Sequence, residues 1–505
     1  MFFEVVACAF IGIVSVLALL TLWRKKYSRF VPDNKHSVFQ VLVDAMDSIV
    51  FVTSGKKNAL HLFIMKYFNE KSKKFKQYPL FTHWLCGVRW VIIHKAEAVK
   101  ELLKEKRIIE KSDFYDFFKP YLGTGLVTCG SSQWKKRRKL LAAGFHSSML
   151  KGYVTVFNEH AQKLVEFLHE ETGKEFTCVE RPLALCSLDI LCESILGVKI
   201  GALQSEAEEY VSSLHRLLDV SMSRIWKFWQ WPDFIFHSSN THKEFLQHIR
   251  TIHEFSRRII KQKKLRYMNR EMGDDSRRPK CLLDVLLKLH VEDQVLDEEG
   301  VRQEVDTFIA AGHDSTAVAV KWALYLIGLY PEVQEKIHQE LDRVLGADIK
   351  GPLSVGDLNE LQYLDCVLKE SNRLYPPAAA IARKTSENIS ICGYTIPKRT
   401  TVIVAPFFVH RDEDVFPDSE KFDPERFLPE SSAHIPECAY IPFAAGPRDC
   451  IGRVFAEMEV KILVCHILRN FSLHSLDSRD QVLPIIKLSL QSSQPARIKF
   501  RRRQQ

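Results

Sequence analysis

The run Phe443-Ala444-Ala445-Gly446-Pro447-Arg448-Asp449-Cys450-Ile451-Gly452 constrains this chain more than any other stretch. It ends where a helical pattern begins, with Val454, Phe455, Met458, Ile462 and Leu463 recurring at helical spacing. A cysteine just before a helix start meets unpaired N–H groups and the positive end of the helix dipole, and Arg448 adds a full charge. These features favour a thiolate. Gly446 and Gly452 allow the backbone to approach something large and flat. Structural zinc takes four protein ligands, and no partner cysteine or histidine stands nearby in the sequence. A lone thiolate suits a metal whose remaining ligands come from elsewhere.

An iron whose equatorial ligands come from a macrocycle meets that need, and haem with an axial cysteine is the natural candidate. The pattern Phe443-x-x-Gly446-x-Arg448-x-Cys450-x-Gly452 resembles the signature of the cytochrome P450 haem-thiolate monooxygenases, with every fixed position filled. The resemblance covers nearly all of the chain after residue 30. It implies a mainly α fold with small β-sheets, the haem lying between a long helix and the Cys450 loop. The implied cofactor is heme b (iron protoporphyrin IX), with Cys450 as the metal ligand. Dioxygen would be the co-substrate. Electrons would come indirectly from NADPH, through an NADPH-dependent flavoprotein reductase.

The 505-residue length and 46% hydrophobic content allow one large domain, and no repeat or low-complexity linker divides the chain. We therefore expect one catalytic domain over residues 31–505, preceded at 1–30 by a membrane anchor and basic flank. Val5 to Leu22 is almost unbroken apolar sequence, about 27 Å long as a helix, near the thickness of a thin bilayer. Trp23 marks an interface, and Arg24, Lys25, Lys26 and Arg29 follow on the C-terminal side. That asymmetry turns the catalytic domain toward the cytosol. It is reversed for a cleaved secretory signal, and no small-residue cleavage site follows. A single-pass transmembrane helix in the endoplasmic reticulum membrane is the expectation.

The twelve cysteines include no Cys-x-x-Cys pair and sit mostly in apolar stretches, as buried free thiols of a reducing compartment would. The net charge of +9 comes largely from local runs such as Lys135-Lys136-Arg137-Arg138-Lys139. No aromatic-interleaved platform accompanies them, so nucleic acid is not an expected partner.

From about Asp297 to Tyr330 the chain reads as one long helix, with Pro331 opening the next. Its centre is apolar almost all round, which predicts burial. Within it, Ala311-Gly312-His313-Asp314-Ser315-Thr316 places a glycine, an acid and two hydroxyls on an otherwise apolar surface. Such groups need partners when buried. The cluster resembles the acid–alcohol pair that supplies protons during oxygen activation in the family. The resemblance implies that Asp314 relays protons from solvent, that Ser315 or Thr316 is the alcohol, and that Gly312 admits haem and oxygen to the backbone. Either hydroxyl could instead bond back to the preceding helical turn. A haem-thiolate isomerase or dehydratase would need no external electrons and tends to lose this pair.

Glu304-Val305-Asp306-Thr307-Phe308 and Tyr121-Leu122-Gly123-Thr124-Gly125-Leu126-Val127 resemble the family 4, fatty-acid ω-hydroxylase type. Many members carry a glutamate just before the helix glycine, esterified to a haem methyl. Here that position is Ala311, so the ester is chemically excluded and with it the rigid linkage thought to favour terminal-carbon attack. A hydrophobic lipid or fatty acid remains the implied substrate.

Glu370 and Arg373 are three apart on a second helical pattern, Leu361 to Leu374, and by spacing alone form an ordinary surface pair. The family resemblance, with Phe422-Asp423-Pro424-Glu425-Arg426-Phe427 downstream, implies a buried network of Glu370, Arg373 and Arg426. It also implies that Trp134 and Arg138 donate to one haem propionate and Arg448 to the other, with Arg383 either joining them or lying on the surface. The planar guanidinium fork suits a carboxylate. Lys135, Lys136, Arg137 and Lys139, with Arg453 and Lys461, would form a positive face for an acidic reductase. Ile225 to Phe236 is dense in aromatic side chains and reads either as core or as a surface dipping into the bilayer.

Overall fold

A computed structural model describes residues 59–85, 88–104, 109–204, 207–269, 281–346 and 351–503, with residues 21, 31 and 32. The expected anchor over Val5–Leu22 lies outside the described residues except for Thr21. No helix among the described residues is long and apolar enough to cross a membrane.

The principal helices are α1 (Ala59–Lys74), α2 (Ser131–Leu141), α3 (Ser147–Glu171), α4 (Glu180–Ser194), α5 (Glu208–Trp226), α6 (Asn240–Met268), α7 (Glu298–Leu329), α8 (Gln362–Leu374) and α9 (Arg453–Asn470). Small sheets flank them. One has four strands, in the order Leu80–Leu85, Val88–Ile93, Thr401–Val404 and Ile381–Lys384, with only the middle pair parallel. Another joins Thr177–Cys178, Arg497–Arg502 and Phe471–Ser475. Two hairpins complete the strands: Ile389–Ile391 with Tyr394–Ile396, and Pro484–Ile486 with Leu490–Ser492. The architecture is mainly α with small β-sheets.

The long helix α7 is the axis of the molecule because its sequence leaves it little else to be. Asp297 caps its start by accepting from the Gly300 N–H at 2.8 Å, and the helix ends before Pro331. Val301, Val305, Ile309, Val320, Trp322, Leu324 and Tyr325 are buried on several faces. Each such side chain contributes about 1.5–3 kcal/mol by leaving water. The helix packs against α4, α6, α8, α9 and the strand Phe471–Ser475. Trp322 stacks on Tyr375, ring centroids 4.0 Å apart, and donates through Nε1 to the Leu490 carbonyl at 2.7 Å.

The Glu370–Arg373 pair is not the surface pair its spacing suggests. Both side chains are fully buried, with Arg373 Nε and Nη2 donating to Glu370 at 2.7 and 2.8 Å. Arg373 also donates to the carbonyls of His410, Ser419 and Lys421, while Glu370 accepts the Asp423 N–H at 2.9 Å. Arg426 Nε stands 3.7 Å from Glu370 Oε1. A helix thereby grips an irregular segment whose carbonyls have no ladder to join.

Two sequence expectations need correction. Val454 is 51% exposed rather than part of the α9 apolar face, although its neighbour Phe455 is buried in the core. The aromatic segment between α5 and α6 is neither all core nor all surface. Ile225 and Phe236 are buried, while Phe234 is 72% and Ile235 38% exposed.

Candidate active site

The Cys450 loop is held by its own backbone. Cys450 N–H donates to the Phe443 carbonyl at 3.0 Å and Asp449 N–H to that of Gly446 at 3.1 Å. Gly446 has φ +77°, where a Cβ is strained and would also meet Leu103 Cδ2 at 2.7 Å, so glycine is required there. Gly452 is different. A Cβ there would make only ordinary contact, 3.6 Å from Phe145 Cε1. Phe443 lies beneath the Arg453 guanidinium, 5.7 Å from its ring centroid.

The protein alone does not favour the thiolate that the sequence suggests. Burial pushes the Cys450 thiol up, and the Gly452 N–H only partly opposes it. Asp449 raises it further and Arg138, rather than Arg448, supplies the favourable charge. The residue nevertheless keeps accessible surface. Coordination to a metal deprotonates a thiol outright, so this state suits an iron ligand that ionises on binding.

Arg448 points away from the sulfur. Its Nη2 donates to the Cys129 carbonyl at 2.9 Å and its guanidinium sits 4.9 Å from the Trp134 ring centroid. Its Nε and Nη1 are buried without a partner. Burial and the nearby Arg383 lower its pKa to about 10, despite the opposing effect of Cys129. Lys111, which no motif singled out, is driven well below its ordinary range by burial, Arg383 and Arg448. Arg383 is itself buried, with Nη1 on the Ala382 carbonyl at 3.1 Å, which settles its alternative surface reading. Three basic side chains gathered together, with two buried donors of Arg448 unpartnered, call for anions. The two propionates of a haem meet that requirement, so the residues present fit the group.

Arg138 has a role beyond the one expected of it. It holds the loop, donating to the Asp449 carbonyl at 2.8 Å and carboxylate at 2.6 Å. Arg137 and Lys461 are not free docking charges either. Arg137 pairs at 2.5 Å with the buried Glu304, which also accepts the Leu126 N–H. Lys461 is buried and pairs with Asp365 at 2.6 Å. Helix α2 thus fastens the cysteine loop through Trp134 and Arg138, and α7 through Arg137.

On α7, Ala311 is exposed and Gly312 and Ser315 are partly so, although the helix on either side is buried. Gly312 also serves packing. A Cβ there would lie 2.1 Å from Leu191 Cδ1, so the glycine admits α4. Ala311 is the accessible position. Ser315 Oγ donates to the Ala311 carbonyl at 2.7 Å and Thr316 Oγ1 to that of Gly312 at 2.9 Å. Both hydroxyls adopt the back-bonded state, which leaves their lone pairs free to accept. Phe145 links the two halves of the site: it stands opposite Gly452, and its ring centroid is 5.6 Å from that of Phe308.

Asp314 is turned away from Ala311. Its carboxylate accepts from Ser489 Oγ at 2.6 Å and Gln491 Nε2 at 3.3 Å, and lies 3.3 Å from His215 Nε2. Burial alone would raise its pKa, but His215, His313 and Ser489 outweigh burial and hold it well below the usual carboxylate range. None of His215, Ser489 and Gln491 belongs to a motif. Among the described residues no His/Cys/Asp/Glu cluster could hold a metal ion, and no cysteine is disulfide-bonded.

The sequence profile of the family described as "Cytochrome P450" matches residues 48–500. The chain is 39% identical over 445 residues to "Cytochrome P450 4V2" of Rattus norvegicus, an alignment covering 86% of this chain and 84% of that protein. It is 38% identical over 447 residues to "Cytochrome P450 4V2" of Homo sapiens, at 86% and 84% coverage. Against "Cytochrome P450 4c3" of Drosophila melanogaster it is 36% identical over 431 residues, at 83% and 81% coverage. Similarity of that extent leaves one conclusion: the chain belongs to the cytochrome P450 family, and it is a monooxygenase of the family 4 type.

Proposed function

We propose that this P450 inserts one atom of dioxygen into a C–H bond of a fatty-acid-like substrate, using NADPH-derived electrons delivered by a flavoprotein reductase. The observation that carries the reading is the pairing of the Cys450 loop with the unpartnered donors of Arg448, beside the accessible Ala311 surface of α7. A bound haem would supply oxygen activation. Cys450 would hold its iron, Arg448 with Arg383 and Lys111 would neutralise its propionates, and Trp134 would brace Arg448. Phe443, Gly446 and Gly452 shape the loop, with Arg138 fixing it through Asp449. Asp314 carries protons, and Ser315 and Thr316, partnered only with helix carbonyls, supply the acceptor oxygens nearest it in sequence.

The apolar Ala311 surface and the absence of a carboxyl group there favour a hydrophobic substrate held without a covalent haem link. Exposed Phe234 and Ile235 support entry from a membrane surface. The apolar run Val5–Leu22 with its basic flank supports an anchor over residues 1–30 in the endoplasmic reticulum membrane, with the catalytic domain of residues 31–505 in the cytosol. On the surface, Lys135, Lys136 and Lys139 remain for docking an acidic reductase.

The test is a spectral titration of the ferric holoprotein with long-chain fatty acids. A saturable blue shift of the Soret band is expected, as ligand entry displaces water from the iron. A thiolate-type spectrum that no fatty acid moves would discard the substrate class while keeping the enzyme class.

A further inference from the structure

The contact between α5 and Asp314 goes beyond this assignment. His215 lies on the helix that leads into the partly exposed aromatic segment, and its side chain is 44% exposed although Nε2 is buried, 3.3 Å from Asp314 Oδ1 as a charge contact without hydrogen-bond geometry. The same helix is tied a second time, by Asp219 to Lys487 Nζ at 2.8 Å, in the hairpin that also presents Ser489 and Gln491 to Asp314. The Asp314 carboxylate is thus engaged by α5 and the hairpin together, while Ser315 and Thr316 bond to helix carbonyls.

We propose that His215 is a positioning residue for Asp314: as imidazolium it holds the carboxylate ionised and turned toward α5, and as neutral imidazole it releases it to serve proton transfer. The inference rests on the role assigned above to Asp314. A carboxylate held far below its ordinary range is a poor proton carrier, since each unit lowers its protonated fraction tenfold. Loss of the proton from His215 to solvent removes the charge that holds it there.

The charges around His215 set the sign. Asp314 on α7 and Asp219 on its own helix raise its pKa against the lowering effects of burial and Lys487. His313 lies nearly parallel at 6.2 Å; burial lowers its pKa although Asp314 opposes this, and its Nδ1–H donates to the Ile309 carbonyl at 2.7 Å. On α6, Glu244 pairs with Arg216 and His248 with Ser213. Lys321 lies closer to the hairpin, with Nζ 3.2 Å from Ser492 Oγ. Asp314 and Asp219 therefore favour the charged form of His215 more than water favours that of an ordinary histidine.

Hydrogen–deuterium exchange at the imidazole C2 positions of the ferric holoprotein, read by peptide mass spectrometry, measures the His215 pKa directly. It should exceed the ordinary histidine value and fall by about one unit or more in Asp314→Asn. In reductase-driven turnover of a saturated fatty acid, product formed per NADPH should rise through the same pKa in the wild type. In His215→Gln it should be independent of pH, at the wild-type high-pH level. An ordinary His215 pKa unmoved by Asp314→Asn, or an unchanged pH profile in His215→Gln, overturns the proposal. Failure of every fatty acid to give product in the wild type would instead overturn the reading beneath it, and the exchange experiment still decides whether the pair exists.

Discussion

Glu459 offers a sharp test of how burial acts in this fold. It lies on α9, is 1% exposed, and its Oε1 has no hydrogen-bond partner. Burial raises its pKa from 4.5 to about 8, with only Ser187 nearby to favour the charged form. The folded protein therefore keeps a proton that the unfolded chain gives up above the ordinary glutamate value. Stability on this account is highest below pH 4.5 and falls as pH rises to about 8, where the full cost is reached. At 1.36 kcal/mol per unit, that cost is about 3 kcal/mol at pH 7 and about 5 kcal/mol above pH 8. The Glu459→Gln variant removes the titration and keeps the shape. For a chain of this size the unfolding entropy converts 1 kcal/mol into about 1 °C. The variant should melt about 3 °C above wild type at pH 7 and about 5 °C above it at pH 8.5, relative to their difference at pH 4.5. Thermal melts of the ferric holoprotein at one scan rate, followed by circular dichroism, measure this. A melting difference that stays constant between pH 5 and 8.5, whatever its size, would refute the reasoning.

Three further outcomes are expected. Gly312→Ala drives a methyl into Leu191 and should destabilise by about 1–3 kcal/mol in denaturant unfolding; adding Leu191→Ala should recover part of that loss, and strict additivity would contradict the packing role. Glu370→Ala strands the buried Arg373 guanidinium and should cost about 3–5 kcal/mol, seen as a lowered melting temperature; a loss below about 1 kcal/mol would show that the carbonyls around Arg373 suffice. Cys450→Ser should abolish the thiolate-type haem spectrum while far-ultraviolet circular dichroism is unchanged, since the residue lies on an accessible loop; persistence of that spectrum would point to another ligand.

Local chemistry was readable along the chain. The Cys450 loop, the capped and proline-bounded α7, and the Glu370–Arg373 spacing are statements about neighbours in sequence, where helical periodicity and capping act. What lay opposite them was not readable. The burial of Glu370 and Arg373 depends on carbonyls of His410, Ser419 and Lys421, far along the chain. A glycine such as Gly312 looks the same in sequence whether it admits a cofactor or the Leu191 side chain.

The sequence by itself therefore determined the family and marked out the Cys450 loop and the helix that carries Asp314, Ser315 and Thr316, because each is encoded in a short run whose residues act on one another directly. Tertiary structure decided which cations share a corner, bringing Lys111 to Arg383 and Arg448, and which groups hold Asp314, bringing His215, Ser489 and Gln491 to it. Those choices depend on burial and on charges meeting across the fold. The desolvation that drives the Cys450 thiol up, and the charge that holds the Asp314 carboxylate down, exist only once distant segments have packed and excluded water.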